Sequence, residues 1–418
     1  MYGRWMTERL GKAIEKPYVH ILFGARQTGK STLLRTLLPS VDLLLDLSNP
    51  AERSAYLARP ERLVEECRAL ATTRKNQKAP IQVVIDEAQT VPALFDAVQH
   101  LYDGAKSRYR FILSGSSARK LRVTGTNLLP GRAMLHHLYP LVLAERPMSD
   151  DDTRANKDVD VVLPLSAGVS APRFPHASLL ERLVYGDLPG ITLAPASDRQ
   201  EILRAYAYVY LEEELRREAL IKDWPTFARF LRLAALESGR MINYAKLAKD
   251  AGTSAPTVKS HYQLLEDMFV GFRIDAFTGS KRKQVLETPR FFLFDLGVRH
   301  AAAELSNNED TILADPGPVF EQWVGIELWK RLQYRRSGRL LYLRTKGGLE
   351  IDFILDLDGQ IIPIETKWTE HPGPEDARHL TAFLKERPKK TSRGYIVCRC
   401  PRPRQITDQI TAIPWWSI

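Results

Sequence analysis

Over the first 145 residues, short apolar runs bounded by turn residues alternate with stretches of helical spacing. The runs are residues 21–23 (Ile-Leu-Phe), 41–47, 81–85 (Ile-Gln-Val-Val-Ile), 109–114 and 134–142. Their β-branched and aromatic content reads as buried strands. Helical spacing fills the intervals at Ser31 to about Leu38, at 51–73 and at 92–103. Strands alternating with helices predict βαβ units and a parallel α/β sheet, with a ligand at the carboxyl ends of the strands.

The pattern changes after residue 145. Residues 146–173 begin with Ser149-Asp150-Asp151-Asp152 and scatter Pro, Ser, Ala and Gly, the composition of a linker. Helical spacing returns at 177–186 and over 199–221. A helix near 225–237, a second from Tyr244 to Asp250 and a third capped by Ser254 follow, and Gly252 sits in the turn between the last two. This is a helix-turn-helix pattern, with Lys259, Ser260 and Gln263 on the exposed face of the third helix and Lys281-Arg282-Lys283 as a wing. Such a face suits DNA phosphates, and it suits protein contacts equally well. The last quarter predicts strands at 340–344, 350–355 and 361–367, the latter two joined by a tight turn at Asp358-Gly359.

Candidate chemistry concentrates in two places. Gly24-Ala25-Arg26-Gln27-Thr28-Gly29-Lys30-Ser31-Thr32 follows a strand and opens a helix, the required context of the phosphate loop. Its glycines let backbone N–H groups wrap a phosphate, Lys30 adds a point charge, and Ser31 offers a hydroxyl to Mg²⁺. The 81–85 strand ends in Asp86-Glu87. Asp86 suits a Mg²⁺-holding role and Glu87 the positioning of the attacking water. Ser114, at the end of the next strand, is expected to hold that water beside Glu87; Ser116 and Ser117 would also serve as plain helix caps. Arg132 precedes the 134–142 strand, where it is either a surface arginine or one that reaches the γ-phosphate of a neighbouring subunit; Arg119 is the second candidate.

The second place is the C-terminal hairpin. Alternation puts Glu365 and Lys367 on one face, and the turn brings Asp352 beside Glu365. With Glu321 these residues could hold Mg²⁺ and activate a water for phosphodiester attack, or they are ordinary charges on an edge hairpin.

Composition narrows this picture only a little. The 418 residues are enough for two to four domains, and the net charge of +10 permits nucleic acid without demanding it. Three cysteines argue for a reducing, cytoplasmic setting; Cys398 and Cys400 read as packing residues. No apolar run approaches a membrane span.

The first 145 or so residues resemble AAA+-type phosphate-loop ATPases, on residues 23–31, Ile85-Asp86-Glu87-Ala88-Gln89 and Ile112-Leu113-Ser114-Gly115-Ser116. The whole chain is similar to a widespread prokaryotic family of that class, through Gly131-Arg132-Ala133, Tyr185-Gly186-Asp187-Leu188-Pro189 and Phe292-Leu293-Phe294-Asp295-Leu296-Gly297 as well. The resemblance implies ATP and Mg²⁺ as cofactors and places an arginine finger at Arg132. A finger acting between subunits makes a homo-oligomer the working form, a ring such as a hexamer. In that pattern the sensor is usually Asn, so Ser114 departs from it. The hairpin resembles the PD-(D/E)xK nuclease core, with Glu321, Asp352, Glu365 and Lys367 at its acidic and lysine positions.

The expected architecture is α/β: a phosphate-loop parallel-sheet ATPase core (1–145), a linker and helical lid (146–222), a winged helix (223–285) and a nuclease-like α/β domain (286–418). The expected function is Mg²⁺-dependent ATP hydrolysis coupled to conformational change in DNA binding or processing. A nucleotide switch for signalling or defence and a protein-remodelling ATPase are the alternatives, with the nuclease-like domain then only binding partners.

Overall fold

The computed structural model describes residues 4–74, 78–117, 129–146, 177–219, 221, 223–278, 287–387, 391 and 393–418. Arg119, the 147–173 linker and the Lys281-Arg282-Lys283 run lie outside the described residues. The chain forms two compact units. One is Met1–Tyr139 with Asp267–Phe269, and the other is Pro140–Glu266 with Val270–Ile418.

The first unit contains α1 (Trp5–Ile14), β1 (Val19–Phe23), α2 (Lys30–Leu37), β2 (Leu43–Asp46), α3 (Pro50–Ala58), α4 (Arg62–Thr73), β3 (Ile81–Asp86), α5 (Ala93–Gly104), β4 (Tyr109–Gly115) and β5 (Ala133–His137). The strands pair in the order β2-β3-β4-β1-β5, all parallel. β1 is buried along its whole length, as an inner strand covered on both faces must be. Two elements differ from the sequence pattern. The helical stretch at 51–73 is two helices, because Pro60 cannot continue the first. β5 stops at His137, short of the apolar run that continues to Val142, and Pro140 lies within that run.

The second unit holds an eight-stranded mixed sheet. Its strands are β6 (Gly271–Ala276), β7 (Arg290–Leu293), β8 (Arg339–Arg344), β9 (Glu350–Leu357), β10 (Gln360–Thr366), β11 (Gly394–Cys398), β12 (Arg404–Thr407) and β13 (Ile410–Pro414), in the order β12-β13-β11-β10-β9-β8-β6-β7. β6 and β7 are an antiparallel ribbon that follows three helices, Trp224–Leu236, Tyr244–Ala251 and Ala255–Asp267. Because β6 also pairs with β8, the ribbon and the hairpin strands belong to one sheet, and pairing crosses the 285/286 boundary expected from the sequence. The expected continuous helix at 199–221 is interrupted by a π turn at Tyr206–Tyr210.

Two stretches that stood out in the sequence pack on one another. A Cβ at Gly186 would lie 2.2 Å from the Asp295 carboxylate, and one at Gly297 would lie 2.3 Å from the Tyr185 carbonyl oxygen. Asp295 accepts a hydrogen bond from the Asp187 N–H at 2.7 Å. A buried ionic group secures the same region. Lys330 meets Glu327 at 3.1 Å and donates to the Leu141 carbonyl at 2.5 Å, while Arg146 donates to Glu181 at 2.6 Å. Burial raises the Glu327 pKa, but Lys330 and Arg331 outweigh it and bring the carboxyl to about 2.

Candidate active site

At the end of β1 the backbone turns sharply. Gln27 and Gly29 adopt left-handed conformations, φ +60° and +91°, the alternation that aims successive N–H groups at an anion. Gly29 then caps α2. A Cβ at Gly24 would stand 2.3 Å from the Leu138 carbonyl oxygen, so only glycine lets the loop pass the end of β5. Thr28 braces the loop by donating to the Ala25 carbonyl at 2.8 Å. Lys30 is buried and donates to the Gly24 and Ala25 carbonyls at 2.8 and 3.1 Å, inside the loop it is expected to serve. Arg26 is partly buried, while Gln27 and Thr32 are exposed on the loop and the first turn of α2.

One residue before α1 was missed by the sequence reading. Arg4 is buried and donates to the Thr28 and Tyr139 carbonyls, each at 2.7 Å. It ties the chain's start to the phosphate loop. Nothing in its local sequence signals this, because its partners lie 24 and 135 residues away.

The acidic pair sits at the end of β3. The Ser31 hydroxyl donates to Asp86 Oδ2 at 2.7 Å. A hydroxyl and a carboxylate in contact form the donor pair that Mg²⁺ takes while keeping most of its waters, so the residues fit the ion. β2 ends with Asp46 in register beside Asp86, a second carboxylate at the same sheet edge.

Ser114 is not beside Glu87. Ile85 pairs with Leu113, so Ser114 falls next to Asp86, and its hydroxyl donates to Asp86 Oδ1. The serine that reaches Glu87 is Ser116, which donates to Glu87 Oε2 at 3.1 Å. Gln89 donates to the same oxygen at 2.6 Å and to the Ser116 hydroxyl at 3.0 Å. Its own Oε1 is buried and has no hydrogen-bond partner among the described residues. Glu87 itself is left-handed, φ +56°, so the chain turns away from the strand there and swings the carboxylate off the β3 axis.

Arg132 is remote from this cluster. It precedes β5, and its carbonyl accepts from Val19 N at the start of β1. The phosphate loop lies past the other end of β1, about 16 Å away for a strand of this length. The guanidinium donates to Asp103 at 2.6 Å on α5. Within its own chain Arg132 therefore does not join the phosphate loop.

The C-terminal candidates do assemble. The two-residue turn Asp358-Gly359, with φ +56° and +97°, pairs Phe353 with Ile364 and so sets Asp352 beside Glu365. Asp352 Oδ2 accepts from Thr366 N and Oγ1, both at 2.8 Å. Lys367 Nζ lies 3.2 Å from Glu365 Oε2. Glu321, on the helix Pro316–Arg335, receives a hydrogen bond from Arg290. Burial, then the charge of Asp352, pushes Glu365 up to about 8 and Glu321 up to about 7. Burial lowers the Lys367 pKa, but Glu365 and Asp352 outweigh it and raise it overall. Among the described residues, no three His, Cys, Asp or Glu side chains are gathered closely enough to hold a metal ion. The carboxylates here are turned toward their own donors, and no metal-dependent step follows from this geometry.

Cys67, Cys398 and Cys400 are free and buried, as packing residues are. No described helix is long and apolar enough to cross a membrane.

Comparison with known proteins places the first unit. Residues 16–146 match the family model described as an AAA domain, which spans the phosphate loop and the Asp86-Glu87 pair. Over that span the N-terminal unit is similar to AAA domains. Residues 176–309 and 316–418 each match a domain of unknown function, DUF8612 and DUF4143, so these two models meet between 309 and 316. An uncharacterized protein of Mycobacterium tuberculosis is 25% identical over 87% of this chain and 73% of its own length. Another, from Haemophilus influenzae, is 22% identical over 83% of this chain and 82% of its own. Among solved structures, the Aeropyrum pernix ORC1 protein in complex with DNA is 17% identical and covers 71% of this chain and 91% of its own, at a TM-score of 0.30. The ORC2 protein of the same organism is 14% identical, covers 75% and 95%, and has a TM-score of 0.28.

Proposed function

We propose that this chain is a Mg²⁺-dependent ATPase whose hydrolysis cycle drives conformational change in a C-terminal unit that binds or processes DNA. The observation that carries the first half is the Ser31–Asp86 hydrogen bond at 2.7 Å. It brings together the two motifs that handle phosphate and metal. Bound Mg²⁺ would neutralise charge on the β- and γ-phosphates. The chain's own residues do the rest. Loop amides and Lys30 hold the phosphates, Ser31 and Asp86 hold the ion, and Glu87, steadied by Gln89 and Ser116, orients the water. Arg132 is assigned to a neighbouring subunit's nucleotide, which makes a ring-shaped homo-oligomer the working form.

Two features support DNA as the partner. The three helices and ribbon leave Lys259, Ser260 and Gln263 exposed on the third helix, as a winged helix would. The hairpin juxtaposes Asp352, Glu365 and Lys367 in the manner of a nuclease core. A second reading is favoured by a specific observation: Glu321 and Glu365 already have cationic partners in Arg290 and Lys367. On that reading the C-terminal unit recognises a partner without cutting, in a signalling switch or a remodelling machine.

The deciding experiment measures ATP turnover with and without duplex and single-stranded DNA, in Mg²⁺ or Mn²⁺, while following the DNA. Stimulated turnover with steeply salt-dependent binding supports the DNA reading. Cleavage lost in Lys367→Ala adds nuclease activity. Turnover indifferent to DNA, with no binding at low salt, overturns the DNA reading and leaves the recognition module.

A further inference from the structure

The phosphate loop is tied at both ends to one short strap, Leu138-Tyr139, which follows β5. Where the loop begins, the Leu138 N–H donates to the Phe23 carbonyl at 2.8 Å. Where the loop ends, the link is a side chain. Arg4 is the residue before α1, and only 7% of it is exposed. Its Nη1 donates to the Thr28 carbonyl and its Nη2 to the Tyr139 carbonyl, each at 2.7 Å. One planar fork of donors thus joins the residue before Gly29 to the strap.

We propose that Arg4 is a positioning residue for phosphate binding: by gripping the Thr28 carbonyl it holds the Gly29 N–H toward the nucleotide. This rests on the reading of residues 24–31 as the ATP site. In a trans peptide the C=O and the N–H that follows it point in opposite directions. A Thr28 carbonyl fixed on Arg4 therefore fixes the Gly29 N–H on the far side, away from the guanidinium.

Without that grip the Thr28–Gly29 peptide is open to reversal. Turning it over changes ψ of Thr28 and φ of Gly29, and glycine accepts either sign of φ. Gly29 stands at φ +91°. A reversed peptide would withdraw one amide from the phosphate and aim a carbonyl oxygen, with its partial negative charge, at it. The Thr28 hydroxyl is engaged elsewhere, donating to the Ala25 carbonyl at 2.8 Å, so it is Arg4 that secures the peptide's own carbonyl. The guanidinium is also a permanent cation one peptide behind the loop, which favours an anion in front of it.

The test is Mg²⁺–ADP binding by calorimetry on full-length protein, well below the melting transition. Arg4→Ala is expected to melt cooperatively and to bind ADP about tenfold more weakly. Ethylguanidinium, which replaces the atoms the substitution removes, should restore most of that affinity. An Arg4→Ala protein that folds and binds ADP like wild type overturns this proposal alone. Affinity that ethylguanidinium does not restore assigns Arg4 to folding and overturns its positioning role. Should Arg4→Ala fail to fold, Arg4→Lys carries the test. It keeps a cation on an aliphatic stem without the fork, and its ADP affinity should fall roughly threefold; wild-type affinity in Arg4→Lys overturns the proposal. Wild-type protein that binds no ADP, or binds it no better than Lys30→Ala, overturns the ATP site itself and this proposal with it, so the two failures are distinguishable.

Discussion

Gln89 and Glu87 are two residues apart in sequence, and the Gln89 amide donates to the Glu87 carboxylate at 2.6 Å across a tight turn. The contact exists because Glu87 takes a left-handed backbone conformation and the short 3₁₀ turn Ala88–Thr90 folds the chain back. Glycine at 115 leaves room for the amide: a Cβ there would lie 2.6 Å from Gln89 Oε1.

Removing this brace should slow hydrolysis without weakening nucleotide binding. Gln89→Ala is expected to lower kcat about tenfold, the worth of roughly 1.4 kcal/mol of lost positioning, with nucleotide Kd unchanged. Glu87→Gln should bind ATP and stop turning over, whereas Lys30→Ala should lose binding. Equilibrium nucleotide titration beside steady-state turnover separates the three. A Gln89→Ala enzyme at full kcat would remove the brace from the mechanism.

Gly24→Ala should disturb the loop and the fold together. The new methyl would meet the Leu138 carbonyl at 2.3 Å, a backbone atom that cannot swing aside as a side chain can. Overpacking of this kind costs about 1–3 kcal/mol. Urea unfolding of the first unit should report that loss, and nucleotide affinity should fall with it.

Arg132 is held by Asp103 in its own chain, which separates a role between subunits from a surface ion pair. If the arginine serves a neighbour's nucleotide, Arg132→Ala loses turnover while Asp103→Ala keeps it. Mixing then supplies the decisive readout. Subunits carrying Lys30→Ala but intact Arg132 should restore hydrolysis to Arg132→Ala subunits. Absence of any rescue in mixed assemblies would tell against a shared site.

His300 predicts an acid-sensitive fold. It is buried with both ring nitrogens engaged, Nε2 at 2.9 Å from the Leu183 carbonyl and Nδ1 at 3.0 Å from the Arg299 guanidinium. One nitrogen must donate and the other accept, so the ring is held neutral. Burial, then the charge of Arg299, lowers its pKa from 6.5 to about 3. The native state therefore binds fewer protons than the unfolded chain between these values. The stability His300 contributes is present above pH 6.5 and lost as pH falls toward 3, by up to about 1.4 kcal/mol per pH unit. Burial raises Asp295 to about 6, which acts in the opposite direction below that pH. The clean signature is thus a difference. Relative to wild type, His300→Phe should gain unfolding free energy as pH falls from 6.5 to 4, measured by denaturant titration of the two proteins side by side.

Much of this protein was determined by local sequence. The apolar run before Gly24 and the glycines around Lys30 fix a strand, a phosphate loop and a helix, because the required backbone angles and amide directions belong to neighbouring residues. The Asp358-Gly359 turn fixes a two-residue hairpin, and arithmetic from that turn sets Asp352 opposite Glu365. Tertiary structure decided whatever depended on pairing between distant segments. Which serine meets Glu87 follows from β4 lying beside β3 in a register that gives Ser114 to Asp86 and leaves Ser116 for Glu87. That Glu321 meets a guanidinium follows from Arg290, 31 residues away on a strand that only the folded unit brings to this helix. Periodicity reports which face of an element is apolar; it carries no information about which charged residue another element will place against that face.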